Sequence, residues 1–315
     1  MKYTEKDLEN YASSIGKTEE EKCKNAIRMV RDAMKYIGYS DDGKEIRTLT
    51  DDTFAFALDM RSANKNITLL TQGSYANKTN IPKQSDVDVA VILESTFTYK
   101  LREGLTRERY GFTEGTFTAQ GLKDEVEDAL KKYYKQGVER HDKSIKVYGN
   151  SYRVDADVVP AYRYRDYSDD YFFNKNNFKK AIEIRPDSGG SIINYPEQHI
   201  ELGRVKNKET DYRYKRIVRI VKNLKEDMKD NRIPVSSNVS SFGLESLLWN
   251  VDVSVYNKYT SLRFILDEVV GFLNGDINNF CNYLEANGIK PLFQNETMRQ
   301  SYCSFVKNLA DFFEY

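Results

Sequence analysis

A chain of 315 residues is long enough for two domains or two lobes sharing one cleft, at a soft prior of about 150 residues per domain. Forty-eight lysines and arginines balance 48 aspartates and glutamates, so there is no summed positive charge to hold polyphosphate backbone, and constitutive coating of DNA or RNA is disfavoured. Three cysteines without a CxxC spacing and only two histidines support neither a disulfide framework nor a structural zinc site, which leaves carboxylates as the carriers of any catalysis.

In chain order, a short helix is expected after Thr4. Thr18 and Glu21 fit a capping box, and Ala26, Ile27, Val30, Ala33, Met34 and Ile37 recur on one helical face, which predicts a helix from Thr18 to Ile37. Gly38 to Gly43 breaks it. Short β-rich pieces follow at Ile67 to Thr71, Val87 to Leu93, Ser144 to Tyr148 and Tyr152 to Val159, interrupted by a helix from Leu122 to Tyr134. Pro186 to Gly190 is the best linker, and beyond Ser191 the pattern is helical. Ile217 to Met228, Phe242 to Trp249, Leu262 to Leu273, Ile277 to Leu284 and Tyr302 to Phe313 are its expected helices. The domain boundaries that follow are 1–45 for N-terminal helices bridging two lobes, 46–190 for a mixed sheet core and 191–315 for a helical lobe. Cys23, Cys281 and Cys303 read as buried apolar residues, and His199 as a structural hydrogen-bonding residue.

The stretch from Thr71 to Leu93 is where the sequence stops being generic. Alternation in a strand puts Val87, Val89 and Val91 on one face and Asp86, Asp88 and Ala90 on the other. Two carboxylates side by side repel unless a cation lies between them, and strands otherwise avoid aspartate. Magnesium, a hard ion bound by one or two carboxylates plus substrate phosphates, is the natural partner. Twelve residues before Asp86, Gly73-Ser74 follows a β-rich run; glycine lets backbone approach a phosphate closely, and the serine hydroxyl can bind its oxygens. A third acid is expected from another strand, because a second metal ion needs its own ligand. Tyr152 to Tyr162 carries Asp155 and Asp157 on one face, and alternation does not choose between them.

These residues resemble the polymerase-β-like nucleotidyltransferases with a GS…DxD pattern, and more narrowly the CD-NTase branch, the bacterial cyclic-oligonucleotide synthases related to cyclic GMP-AMP synthase and oligoadenylate synthase. Gly73-Ser74, Asp86-Val-Asp88 and Asp157-Val-Val-Pro-Ala match the three catalytic elements. The likeness extends through Pro196-Glu-Gln-His199 and Tyr214 to Lys222 as far as Ser241-Phe242-Gly-Leu-Glu245, covering roughly 67–249 by motif. In that family the third acid precedes a hydrophobic pair and Pro-Ala, which selects Asp157.

The resemblance implies an α+β fold: a nucleotidyltransferase core of mixed β-sheet with helices, plus a C-terminal helical lobe, with the active site in the cleft between lobes. It implies a cytoplasmic cyclic-oligonucleotide synthase, making a cyclic dinucleotide from nucleoside triphosphates (ATP, with GTP or UTP) and releasing pyrophosphate, as a second messenger of bacterial antiphage signalling. Asp86, Asp88 and Asp157 would be catalytic and hold two Mg²⁺ ions, with Mn²⁺ as a substitute. Gln72, Gly73, Ser74, Lys222, Ser241 and Phe242 would bind nucleotide, Lys222 at the donor triphosphate and Ser241 with Phe242 against phosphate and base. Lys215, Arg219 and Lys222 share one helical face suited to triphosphates. No obligatory nucleic acid and no membrane are implied; apolar runs fall far short of the roughly 20 residues of a membrane span, and the DNA-gripping zinc insertion of the animal relative has no counterpart. The alternatives are another nucleotidyltransferase of the superfold, acting on RNA ends or a small-molecule acceptor, and a catalytically silent scaffold, which three intact acids disfavour.

Overall fold

The computed structural model describes residues 3–44, 47–48, 53–82, 86–115 and 121–314. Its elements run α1 (Glu5–Ala12), α2 (Lys17–Tyr36), β1 (Arg47–Thr48), β2 (Phe56–Arg61), β3 (Asn66–Gln72), α3 (Gly73–Ala76), β4 (Val87–Leu101), α4 (Leu122–Tyr134), β5 (Val138–Arg140), β6 (Ile145–Val147), β7 (Ala156–Tyr167), β8 (Lys179–Ile184), β9 (Ile192–Asn194), α5 (Pro196–Glu209), α6 (Tyr214–Asp230), α7 (Ser241–Trp249), α8 (Val253–Asn257), α9 (Leu262–Gly275) and α10 (Glu296–Glu314). They fall into two compact units. A sheet unit comprises Gly16–Ala76 and Ser85–Glu197, and a helical unit Met1–Ile15, Asn77–Gln84 and Gln198–Tyr315. The N-terminal layer expected over 1–45 is therefore divided, α1 belonging to the helical unit and α2 to the sheet unit, and Asn77–Gln84 leaves the sheet core for the helical unit.

In the sheet unit the strand order is β1-β2-β3-β4-β7-β6-β5, with β8 on the outer half of β7 and β9 on β8. Among the described residues only β4 and β7 pair in parallel, so the sheet is mixed, as expected. Residues directly opposite one another share a face. Thr71, Val89 and Val158 are aligned, and Thr71, Val89, Leu58 and Leu69 line a small cavity together with Ile27 of α2, which puts α2 over that face. Leu70, Ala90 and Val159 form a row on the opposite face, continued by Ile92, Ala161, Ile182 and Ile184 as one apolar cluster. Both faces of mid-β4 are thus buried, and the acids stand where this double-sided core ends.

The helical unit is built on α6, whose Ile217, Val218, Ile220, Val221, Leu224 and Met228 are buried among residues of α7, α9 and α10. Helix α1 joins it with the capping box the sequence did not single out, Thr4 with Asp7, while Glu5 accepts the Leu262 and Arg263 N–H groups at the start of α9 at 2.7 and 3.0 Å.

Several sequence expectations are corrected. Helix α2 starts one residue before Thr18, with Gly16 as N-cap and no side-chain cap, so Thr18–Glu21 is not the capping box. Strand β4 runs to Leu101, eight residues past the expected end, and β2, β5, β8 and β9 were not expected, although Phe56, Leu58 and Met60 do alternate with Ala57, Asp59 and Arg61 along β2. Pro186 to Gly190 is not a domain linker: it connects β8 to β9 inside the sheet unit, and the Asp187 carboxylate accepts from Lys123 Nζ and Arg140 Nε, both at 2.8 Å. Ile277 to Leu284 is a 3-10 turn over Ile277–Asn282, because Asn250 holds Leu284 extended through both its backbone groups at 2.7 and 3.1 Å. That surface turn leaves Cys281 exposed, while Cys23 is buried and Cys303 half-buried. Helix α10 begins six residues before Tyr302, where Asn295 Oδ1 accepts the Met298 N–H at 2.8 Å.

Candidate active site

Strand register brings the expected acids together. Gln72 on β3 pairs with Asp88 on β4, Asp88 pairs with Asp157 on β7, and Asp157 pairs with Lys146 on β6. The four side chains therefore form one row across neighbouring strands, on the face opposite α2. With strands about 4.8 Å apart, Asp88 and Asp157 are direct neighbours. Asp86 lies just ahead of β4 and is half exposed, with 51% of its side chain in solvent.

Glycine-serine geometry completes the row. Strand β3 turns into α3 through Gly73 at φ +70°, a conformation that side chains strain to adopt. A Cβ at Gly73 would lie 3.0 Å from the Asp88 carboxyl carbon, and closer still to its oxygen. The absence of a side chain at residue 73 is thus what admits the Asp88 carboxylate. Helix α3 is held in turn by Tyr75, whose buried ring stacks on Phe54 at 5.0 Å, and by the Phe54 N–H, which donates to the Ala76 carbonyl at 2.9 Å.

Strand β7 begins at Ala156 rather than Tyr152, because Asn150 Oδ1 accepts the N–H groups of Tyr152 and Arg153 and turns the chain there. Asp157 is consequently a strand residue in the row, and Asp155 a residue of the approach. The Asp155 carboxylate accepts the Gly149 N–H at 2.7 Å and lies 3.0 Å from the Lys146 ammonium. The same ammonium lies 3.2 Å from Asp86. Sequence reasoning passed over Lys146; the available signal was a lysine at the middle of Ser144 to Tyr148, a strand that must pair beside the acidic one.

Electrostatics separates the acids. Burial, with Asp157 and Asp86 adding repulsion, pushes the Asp88 carboxyl up to about 7, and burial also raises Asp157. Burial would raise Asp155 too, yet the Gly149 N–H and Lys146 hold it below the ordinary carboxylate range. Among the described residues no three His, Cys, Asp or Glu side chains form a ready-made metal cage. The donor set of Asp86, Asp88 and Asp157 nevertheless fits a hard divalent ion that takes its other ligands from water and phosphate. The Lys146 ammonium, drawn in between Asp86 and Asp155, shows that the place attracts a cation.

The remaining predicted residues lie in the helical unit. Lys222 is buried, 2% exposed, and its ammonium donates to the Thr79 carbonyl at 2.9 Å and lies 3.7 Å from Glu245. Glu245 also accepts from the Thr79 hydroxyl at 2.7 Å and faces His199 Nε2 at 3.0 Å, while Asn77 Nδ2 meets His199 Nδ1 at 3.2 Å. Burial would raise the Glu245 carboxyl, but His199, Lys222 and Thr79 hold it down at about 2. The basic face expected from Lys215, Arg219 and Lys222 is not a surface: all three are buried, and Arg219 donates to the Ala12 carbonyl at 2.6 Å. Arg219 and Lys222 satisfy chain carbonyls instead. Ser241 opens α7, for which Ser240 is the N-cap, and Phe242 is 40% exposed with its ring edge-on to His199 at 5.1 Å.

Comparison with known proteins places this arrangement. Residues 55–166 match the model of a nucleotidyltransferase domain, and residues 201–314 that of the cGAS/DncV-like nucleotidyltransferase C-terminal helical domain. The chain is 38% identical over its full length to a cyclic GMP-AMP synthase, CdnE03, of Staphylococcus schleiferi, covering 98% of that protein. It is 36% identical, over 86% of its length and 83% of the relative's, to a cyclic dipyrimidine nucleotide synthase, CdnE, of Cecembia lonarensis. Among solved structures, the Rhodothermus marinus CdnE c-UMP-AMP synthase with Apcpp and Upnpp superposes with a TM-score of 0.78 at 26% identity, over 98% of this chain and 96% of that one. The Elizabethkingia meningoseptica CdnE cyclic dinucleotide synthase with GTP and Apcpp does so with a TM-score of 0.75 at 27% identity, over 99% and 100%.

Proposed function

The chain belongs to the cGAS/DncV-like nucleotidyltransferases, and on that premise we propose that it is a cyclic-dinucleotide synthase whose reaction is carried by Asp86, Asp88 and Asp157. The observation that supports these residues is the register Gln72-Asp88-Asp157, closed at one end by Gly73 against the Asp88 carboxylate. Family members of this kind use divalent metals; here Asp86, Asp88 and Asp157 would hold two magnesium ions, with manganese as a substitute. The bound metal supplies charge neutralisation for the triphosphate and acidification of the acceptor hydroxyl.

The chain's own residues do the rest. The Gly73-Ser74 turn lets phosphate oxygens approach backbone, and the Ser74 hydroxyl donates to them. Gln72 stands beside Asp88 in the same row and fixes the triphosphate end of the nucleotide. Asp157, raised by burial, faces the acceptor ribose hydroxyl. That hydroxyl attacks the α-phosphorus of the donor, the bond to the bridging oxygen breaks, and pyrophosphate leaves; a second transfer within the linear intermediate closes the ring. Phe242 presents an exposed ring suited to stacking on a base, with Ser241 beside it, while Lys222, buried on the Thr79 carbonyl and beside Glu245, supports this part of the chain from within rather than by touching the triphosphate. ATP is taken as one substrate, with GTP or UTP as its companion. Relatives that make cyclic GMP-AMP, cyclic dipyrimidine and cyclic UMP-AMP products are all similar to this chain. The product would act as a second messenger in antiphage signalling.

The test is to incubate the protein with four NTPs and Mg²⁺, with and without added RNA or duplex DNA. A phosphatase-resistant cyclic product formed without nucleic acid supports the proposal. Transfer only onto added RNA ends or a small acceptor would favour the other branch of the superfold.

A further inference from the structure

Lys146 has no part in the reaction as described, yet among the described residues its ammonium is paired with two acids at this end of the sheet. It stands directly opposite Asp157 in the sheet, 3.2 Å from Asp86 and 3.0 Å from Asp155. Asp155 is itself fixed: its other carboxylate oxygen accepts the Gly149 N–H at 2.7 Å, and Gly149 is a position where a Cβ would meet the Arg153 carbonyl oxygen at 2.7 Å and the Asp155 nitrogen at 2.8 Å. The turn before β7 is thus closely packed at Gly149, and the Asp155 carboxylate that accepts the Gly149 N–H also meets the Lys146 ammonium, which reaches Asp86 as well. Only 21% of the Lys146 side chain is exposed, so the ammonium is held there along a covered stem.

We propose that Lys146, positioned by Asp155, is the resident counter-ion of the acidic row: it occupies the place between Asp86 and Asp155 in the metal-free protein and gives up Asp86 when a divalent cation binds. The inference rests on the reading of Asp86, Asp88 and Asp157 as metal ligands. Three carboxylates at the end of a buried core repel one another; a lysine shared with one of them lowers that repulsion without closing the site, because an ammonium on a flexible four-carbon stem can withdraw toward Asp155. A divalent ion must then compete with one positive charge a few ångströms away. Free metal binds weakly by this device, and metal carried on a triphosphate is favoured.

The experiment is a Mn²⁺ titration of the nucleotide-free protein, followed by the electron paramagnetic resonance of free Mn²⁺, with thermal unfolding in EDTA alongside. Lys146→Met should bind Mn²⁺ at least ten-fold more tightly than wild type and should unfold at lower temperature in EDTA, with the loss restored by Mn²⁺. Lys146→Arg, which keeps the charge, should bind no more tightly than wild type. Where Lys146→Met does not fold without metal, Lys146→Gln is measured against the same criteria. Unchanged or weaker Mn²⁺ binding in the neutral variant, or equal tightening in Lys146→Arg, overturns the proposal. The double variant Asp86→Asn/Asp88→Asn separates it from its premise: if that protein binds Mn²⁺ like wild type, the metal-ligand reading fails, whereas loss of binding there with no gain in Lys146→Met rejects the counter-ion alone.

Discussion

Gly73→Ala tests how the Gly73-Ser74 turn, proposed to bind phosphate, and the acids are coupled. Alanine at φ +70° is strained by about 1–2 kcal/mol, which for a unit of this size lowers the unfolding temperature by roughly 2–8 °C. The larger effect is local. The new Cβ would sit 3.0 Å from the Asp88 carboxyl carbon, against an ordinary carbon–carbon contact of about 3.5–4.0 Å. Because the atoms displaced are the end of a side chain, the fold accommodates them by swinging the carboxylate aside. The site does not accommodate it: a misplacement of about 1 Å at a catalytic group costs on the order of 10²-fold in rate. Gly104→Ala is the control, since Gly104 has φ +78° with nothing within 4 Å of its Cβ position. Both variants should lose similar stability by calorimetry, while product formation from labelled NTPs falls about 100-fold in Gly73→Ala only. Gly73→Ala activity within three-fold of Gly104→Ala would refute the reasoning.

Three further outcomes follow from the same geometry. Asp88→Asn should abolish synthesis while leaving the EDTA unfolding temperature unchanged or raised, because it removes a buried carboxyl repelled by Asp157 and Asp86; retention of more than a few per cent of turnover in saturating Mg²⁺ would contradict its metal role. Asp157→Asn should eliminate product and Asp155→Asn retain most of it, since only Asp157 stands in register with Asp88; the reverse pattern in a turnover assay would move the third acid. Glu245 is held at about 2 against an ordinary 4.5, a lowered folded-state value, so its contribution to stability is present above about pH 4.5 and is lost as pH falls toward 2. Urea unfolding between pH 6 and pH 3 should show a steeper loss in wild type than in Glu245→Gln, and equal slopes would remove the buried network from the account.

The acids that the strands bring into one row were legible in the sequence because strand alternation and glycine chemistry are local. Asp86, Asp88 and Gly73-Ser74 could be read from one segment; between Asp155 and Asp157, which alternation left open, the family resemblance through Pro-Ala favoured Asp157, and it is Asp157 that pairs with Asp88. What was not legible depends on partners distant in sequence. Lys146 looks like any strand lysine until β6 is laid beside β7. Lys215, Arg219 and Lys222 look like a solvated basic face until the carbonyls of Ala12 and Thr79 come to receive Arg219 and Lys222. The late start of β7 was written in Asn150, whose side chain competes for the backbone of Tyr152 and Arg153, but turn chemistry two residues ahead of an alternating run is easily overruled by the run itself. Asn295 before α10 is a cap of the same kind.

The central claim, that Asp86, Asp88 and Asp157 join two nucleotides into a ring, is tested most directly by mass spectrometry of the product made from four NTPs and Mg²⁺. The account predicts a cyclic dinucleotide lacking terminal phosphate, with pyrophosphate released for each bond formed and no product from Asp88→Asn. A linear product alone, or a cyclic product undiminished in Asp88→Asn, would contradict it.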